Sequence, residues 1–381
     1  MKKLTAIFLA AATLLTLFSF AGCSKSVRSE VFVQVGDSYE GSRDFSEGYA
    51  AVKKDGKWGF IDSEGNIAVE PKYAAVWSFA EGLAAVQTED GKWGFIDTSG
   101  SEVIEPQFDA AWYFSGGLAA VREGKLFGYI DHSGNFVIEP KYTDATNFDN
   151  AITAVQKDED KWGFIDKQGN EVTDFVYYEK TEFTDGLAEV FIEYESGFLD
   201  ETGAVAIELT LDDAGNFSEG LCAFSRDGEW GYIDRSGNEV ISPAYTSADI
   251  FSEGYAVVGS DRLFGYIDKN GSTVIPVKYL SAYPFSEGLA RVQLAAGTTE
   301  GTANEFIFIK TDGSSAFSSG YKYAKDFSEG YAACATNDGA WGMIDSDGNV
   351  VIDFEWEEIW PVTDGSVRLF DGENYYFAKL K

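Results

Sequence analysis

The chain has 381 residues, with 29 Lys plus Arg against 63 Asp plus Glu and a formal charge of −34, so it repels phosphate backbones and anionic head groups, which argues against nucleic acid as a partner. Its single His rules out multi-His zinc sites and any mechanism that needs two imidazoles. An apolar share of 45% supports a sizeable core, while 30 Phe, 20 Tyr and 9 Trp beside 41 Gly point to many short strands joined by tight turns.

At the amino terminus Lys2 and Lys3 precede an apolar run from Leu4 to Phe20, then Ala21-Gly22-Cys23 and a polar segment. A basic head, an apolar stretch and small residues before a cut describe a secretory signal over residues 1–22, followed by a polar tether over 23–30. The string Phe20-Ala21-Gly22-Cys23 resembles the lipobox of bacterial lipoproteins, although that family prefers Leu where this chain has Phe20. The resemblance implies a mature chain that starts at Cys23, is acylated there, and is held in a lipid bilayer of the bacterial cell envelope. Several acyl chains give stable anchoring, since each buried methylene contributes about 0.8 kcal/mol.

From residue 31 onward the sequence repeats. The string Phe-Ser-Glu-Gly, clear or degraded, starts at Phe45, Phe79, Phe114, Phe148, Phe183, Phe217, Phe251, Phe285 and Phe327, with Val362 opening a last copy. The steps are 34 or 35 residues except one of 42, where Leu294 to Asn304 inserts small polar residues in a turn. About thirteen residues after each start comes Lys-Trp-Gly-Phe-Ile-Asp or a relative, at Trp58, Trp93, Phe127, Trp162, Trp230, Phe264 and Trp341. These strings resemble the WG-repeat family, also called KWG repeats. The resemblance covers residues 31–381 and brings no catalytic residue with it.

Within a unit, short apolar runs bounded by Asp-Gly and Ser-Gly turns are hairpin signals, as in Leu83 to Gln87, Lys92 to Asp97 and Glu102 to Glu105. The expected fold is all-β: about ten tandem three-stranded antiparallel meanders of about 34 residues in one domain over 31–381. Such a meander cannot bury both faces alone, so its neighbours must complete the core. An open curved solenoid is the favoured arrangement, because ten three-stranded units exceed the usual blade count of a closed ring. The alternative is a propeller-like ring. The strand around Val31 to Tyr39 would complete the last unit, since Tyr39 stands six residues before Phe45 as Tyr73 does before Phe79.

The repeated Trp or Phe and the aromatic two residues on face one side of their strand, with Gly between them leaving room for a neighbouring backbone or ring. They are expected to be packing aromatics shared between units. Asp-x-x-Gly, at Asp62 to Gly65, Asp97 to Gly100, Asp131 to Gly134, Asp166 to Gly169, Asp234 to Gly237 and Asp268 to Gly271, fits a type I turn. A calcium loop would need an Asp-x-Asp ladder, which only Asp345-Ser346-Asp347 approaches, so no metal or cofactor is expected. Cys222 and Cys334 lie 112 residues apart in apolar strands, too far for a bridge in a linear array, and are expected to be buried free thiols.

No nucleophile elbow, phosphate-cradling loop or Cys–His pair occurs, and carboxylate pairs suited to glycoside hydrolysis carry no information among so many acids. The reading is a non-catalytic, membrane-anchored array that binds or scaffolds a protein or envelope polymer. Its alternative is a carbohydrate-binding module that uses Trp77, Trp112 and Trp360, with Tyr283 at the equivalent place, all two residues before a motif start.

Overall fold

A computed structural model describes residues 26–381 apart from 28, 158–160, 180, 182, 194 and 298–300. The expected signal peptide and Cys23 lie outside the described residues. Among those described, 38 strands form ten antiparallel sheets, eight of four strands and two of three, without a helix.

The sheet formed by Ala75–Val76, Leu83–Gln87, Trp93–Asp97 and Glu102–Phe108 shows how the sequence dictates a unit. The last three strands are the expected meander. The first is new: two residues long, too short for an alternating pattern, it is formed by the segment that leads into Phe-Ser-Glu-Gly and pairs Val76 with Val86. Each unit is therefore a four-stranded blade, with the motif as the turn between its first and second strands. In the blades around Trp162 and Phe306 the fourth strand is reduced to isolated bridges, Trp162 with Tyr177 and Phe306 with Tyr321.

Gly94 has a specific reason. The third strand pairs Trp93 with Phe108 and Phe95 with Ile104, so the single residue Gly94 opposes three, Glu105, Pro106 and Gln107. The fourth strand bulges at Pro106, a position where the missing ladder donor costs nothing. A Cβ on Gly94 would sit 2.5 Å from the Ile104 carbonyl oxygen and 2.6 Å from Pro106 N. The same bulge faces Gly128, Gly231 and Gly265 in their blades.

Phe-Ser-Glu-Gly joins each blade to the one before it. Phe79 packs on Phe60 of the preceding blade with ring centroids 4.7 Å apart, Phe114 on Phe95 at 4.8 Å, Phe148 on Tyr129 at 4.8 Å, and Phe217 on Phe198 at 4.9 Å. Phe251 on Tyr232, Phe285 on Tyr266 and Phe327 on Phe308 continue the series at 4.8, 5.0 and 4.9 Å. Where the motif begins with Val362, the preceding blade offers Met343 and the two share one cluster.

The series does not stop at the last blade. Phe377 of that blade meets Phe45 of the first at 5.2 Å. Phe32–Tyr39 lies beside Tyr375–Leu380, from Phe32 opposite Leu380 to Tyr39 opposite Tyr375, and supplies the missing fourth strand. The repeats thus close into a ten-bladed propeller-like ring, the second of the two expected arrangements, and the open solenoid is corrected. A fourth strand per blade and a terminal strand that crosses the seam remove the two free sheet ends that an open stack would leave.

The repeat aromatics divide by position. Phe60, Phe95, Tyr129 and Tyr232 are fully buried. Their partners two residues earlier pair with the aromatic that ends the fourth strand, as Trp58 does with Tyr73 and Trp341 with Trp356. Phe127 and Trp162 are buried, whereas Trp58, Trp93, Trp230, Phe264 and Trp341 are half-buried at the blade margin. The core residue of each Trp-Gly-Phe string is its last aromatic. The inserted turn 294–304 begins on fully buried Leu294, which is bonded across its neck to Asn304 and Glu305.

Cys222 and Cys334 are free and buried in the second strands of different blades. Burial pushes the Cys222 thiol up to about 12 and also raises that of Cys334. In a Cys23→Ser chain, a disulfide reagent such as DTNB should titrate no thiol under native conditions and both in denaturant; rapid native labelling would contradict the burial. Gly94→Ala should lower stability by roughly 1–3 kcal/mol, because the backbone it meets cannot yield. Gly82→Ala meets nothing within 4 Å and should cost only the strain of its positive φ. Thermal unfolding of the two variants checks the order.

Candidate binding surface at the inner edge of the ring

Successive blades touch most closely at their first strands. Ser46 Oγ donates to the Phe79 carbonyl at 2.8 Å, and the same bond recurs from Ser218 to Phe251, Ser252 to Phe285, Ser286 to Phe327 and Ser328 to Val362. Each following Glu reaches the next turn too. Glu47 accepts from the Glu81 and Gly82 N–H groups, Glu81 from Gly117, Glu219 from Gly254, Glu253 from Gly288, Glu287 from Gly330 and Glu329 from Gly365. These turns therefore lie on the narrow, inner side of the blades. The position two residues before each motif start lies on that edge.

Over six consecutive blades this edge is a belt of alternating rings and cations. Arg291 stacks on Tyr283 at 3.4 Å and pairs with Asp326, Nε to Oδ1, at 2.6 Å. Lys325 lies 5.2 Å from both Trp341 and Trp360 and pairs with Glu358. Arg368 covers Trp360 at 4.2 Å and pairs with Asp44 of the next blade at 3.0 Å. Arg43 stands over Trp77 at 4.9 Å and Trp58 at 5.8 Å. Trp77 meets Trp112 edge-on at 5.6 Å and donates its indole N–H to the Ala111 carbonyl, and Trp112 is parallel to Phe127.

The structure thus brings Trp77 and Trp112 together and puts Trp360 in the same belt. All three are half-buried, with neighbouring rings and cations packed against them. Sequence reasoning missed Arg43 and Lys325, although both occupy the same repeat position as Trp77; aligning the ten copies at that position exposes them.

The other four blades carry Thr146, Thr181, Gly215 and Asp249 at this position. Two recesses open there, one of about 70 Å³ beside Thr146 and Thr181 and one of about 240 Å³ lined by Glu179, Thr181, Glu189, Val190, Phe191 and Asp213. Burial pushes the Glu189 carboxyl up to about 7, with the Asp213 and Glu179 charges adding to the effect. Both recesses fall below the ~300–1,000 Å³ of ordinary small-molecule pockets.

The Asp-x-x-Gly turns spend their carboxylates locally. Asp97 Oδ1 accepts from Ser99 Oγ and from the Ser99 and Ser101 N–H groups, and Asp345 likewise accepts from the Asp347 and Asn349 N–H groups. Side-chain bonds from Ser99 and Asn238 hold the carboxyls of Asp97 and Asp234 below their ordinary range. Among the described residues no cluster of three or more His, Cys, Asp or Glu is arranged to hold a metal ion.

A closed ring of repeated four-stranded blades with a chemically varied inner edge defines a propeller-type repeat protein. The model for WG-containing repeats matches residues 38–58, 58–93, 93–126, 127–161, 162–194, 197–230, 230–261, 264–295 and 341–370, and the chain belongs to that family. No curated protein matches it. Among solved structures it is similar to a eukaryotic initiation factor (12% identity, TM-score 0.48, 76% of this chain and 90% of that one). It is also similar to the computationally designed Ika8 protein (13%, 0.41, 81% and 96%) and to BamB from Moraxella catarrhalis (12%, 0.34, 70% and 97%). At these scores nothing about the role of this chain follows from them.

Glu189 supplies a pH signature with a definite sign. The folded chain holds its proton more tightly than the unfolded chain, so folding gains from this group below about pH 4.3 and loses that gain as pH rises towards 7. Glu189→Gln should therefore raise the melting temperature at pH 8 but leave it nearly unchanged at pH 4. The turn aspartates act oppositely: their contribution is present above the ordinary carboxyl range and fades as pH falls through their lowered values. Melting curves across pH 2–8 separate the two; equal effects of Glu189→Gln at both ends would contradict the assignment.

Proposed function

We propose that this protein is an exported lipoprotein of the bacterial cell envelope, anchored through acylated Cys23, whose ten-bladed ring is a non-catalytic binding or scaffold surface for a protein or envelope polymer. The observation that carries the reading is the continuous cation–aromatic belt along six blades of the inner edge. Rings and guanidinium groups that are rigid, amphipathic and already stacked lose little entropy when a partner covers them.

The repeat family brings no catalytic constellation, and the turn carboxylates are engaged by their own backbone. The polar tether 23–30 ends where Phe32–Tyr39 enters the ring at its seam, so anchoring at Cys23 places the seam blades near the bilayer. Removing Lys2 and Lys3 with the signal takes the formal charge from −34 to −36, so lipid rather than charge holds the ring at an anionic membrane.

Cys23→Ser should abolish incorporation of labelled palmitate and move the protein out of the membrane fraction; a variant still retained there would sink the anchor. Envelope extract passed over the immobilised ring should yield a partner that Trp360→Ala or Lys325→Ala releases. A partner retained equally by both variants would place the surface elsewhere.

A further inference from the structure

The seam between the last blade and the first has one cation too many. Arg368 is ion-paired: Nη2 donates to Asp44 Oδ2, Nη1 donates to the Ser42 carbonyl and the guanidinium lies over Trp360, while Nε is 3.0 Å from Asp44 Oδ1 but, like Arg43 Nε, makes no aligned hydrogen bond. Its neighbour Arg43 has no carboxylate within ion-pair distance among the described residues, in a chain with 63 acids. Among the described residues its guanidinium packs on the rings of Trp58 and Trp77. Its Nε is buried without a hydrogen-bond acceptor, and so is the adjacent Ser42 Oγ. An unsatisfied buried donor costs about 1–3 kcal/mol, more when charged, so two orphans side by side call for a ligand or a reason.

Both residues line a cleft of about 580 Å³ together with Asp44, Ser46, Trp58 and Arg368. Two arginines against one aspartate leave it a net charge of +1. The usual Ser-to-carbonyl and Glu-to-N–H bonds join seven of the other blade interfaces in whole or part; at this seam the last blade has Thr363 and Asp364 in those places, and the polar contacts described there are Arg368 on Ser42 and Asp44 and Lys379 on Glu64.

We infer that this seam cleft binds one carboxylate-bearing sugar unit, with the Arg43 guanidinium pairing the carboxylate and Ser42 Oγ bonding a ring hydroxyl. Three observations select that chemistry. A single unbalanced cation matches a single negative charge, whereas a phosphate monoester carries about −1.5 to −2 and would meet Asp44 unneutralised. The chain's −34 repels extended polyanions at range, which favours a compact acidic unit over a nucleic acid or a phospholipid surface. The cleft offers a hydroxyl and an indole beside the cation, the pairing that suits a hydroxylated ring carrying an acid.

The inference deepens the binding reading, since it names one recognition element for an envelope polymer whose acidic units are sparse along an otherwise neutral chain, and it rests on that reading. Its test needs neither lipidation nor the polymer. The full chain, purified in detergent, is titrated with glucuronate, glucose and inorganic phosphate at low ionic strength, following indole fluorescence and ligand-observed NMR. Glucuronate should bind, with glucose and phosphate each at least about tenfold weaker. Arg43→Gln should weaken glucuronate about tenfold or more while its melting curve shows a folded chain, and Arg43→Lys should restore part of the affinity.

If Arg43→Gln fails to fold, Ser42→Ala, which leaves the stack intact, should weaken binding several-fold. Absence of glucuronate binding, equal affinity in Arg43→Gln, or phosphate binding as tight as glucuronate would each overturn the assignment. A partner still captured by the belt in that case would leave the scaffold reading standing.

Discussion

The structure depends on one contact made again and again: the ring that opens each Phe-Ser-Glu-Gly turn lies against the last aromatic of the preceding Trp-Gly-Phe strand. A four-stranded blade has two faces and too little mass to cover either, so an isolated copy has no core. The Phe of one blade and the aromatic of its neighbour make one core out of two half-cores, and such a pair contributes about 0.5–1.5 kcal/mol beyond the area it buries. Met343 with Val362 keeps the apolar contact without a ring. Phe377 against Phe45 shows that closure uses the contact already made at the other interfaces.

The polar bonds beside that contact are less uniform, and their variation ranks the two. Asn150, Asp185 and Asp364 stand where other copies have Glu, and Gly116 has no side chain there at all. At two of these places a basic residue from the next blade makes up part of the loss: Lys167 donates to the Gly116 carbonyl and Arg235 pairs with Asp185. The same geometry adds Lys269 to Glu219 and His132 to Glu81 where the Glu is intact. These groups are substantially exposed, where an ion pair contributes at most about 1 kcal/mol, so they tune the interface that the rings define.

Much of this was legible in the sequence. The period, the three longer strands, the glycine that admits a neighbouring backbone and the buried thiols all follow from residue type and spacing. What stayed hidden was non-local. A two-residue strand has no alternation to read. Whether ten units curl into a ring is set by a small rotation per unit that no residue spells out, and only Tyr39, in register with Tyr73, hinted at the closing strand. The Glu of each motif stands in its own turn, yet its acceptor oxygens serve the turn one blade on, about 35 residues away. Trp77, Trp112 and Trp360 were found as a set because aromatics stand out; Arg43 and Lys325 share their position and were passed over because cations on a surface ordinarily mean little.

Those cations change what the inner edge is. Three tryptophans alone would be open platforms; with Arg43, Lys325 and Arg368 packed on the rings of Trp77 and Trp360, they are members of a stack. Cation–π contacts and ion pairs to Asp44, Asp326 and Glu358 link neighbouring blades across this arc, so it serves cohesion and display together. The opposite arc, with small residues and Glu189 beside Asp213 and Glu179, offers neither rings nor a balancing cation at the equivalent position. A ligand that met both arcs alike would have to match two opposed chemistries. The two arcs of the ring are therefore chemically distinct, and only one of them carries preformed cation–aromatic stacks and, in Arg43, a guanidinium without an ion pair among the described residues.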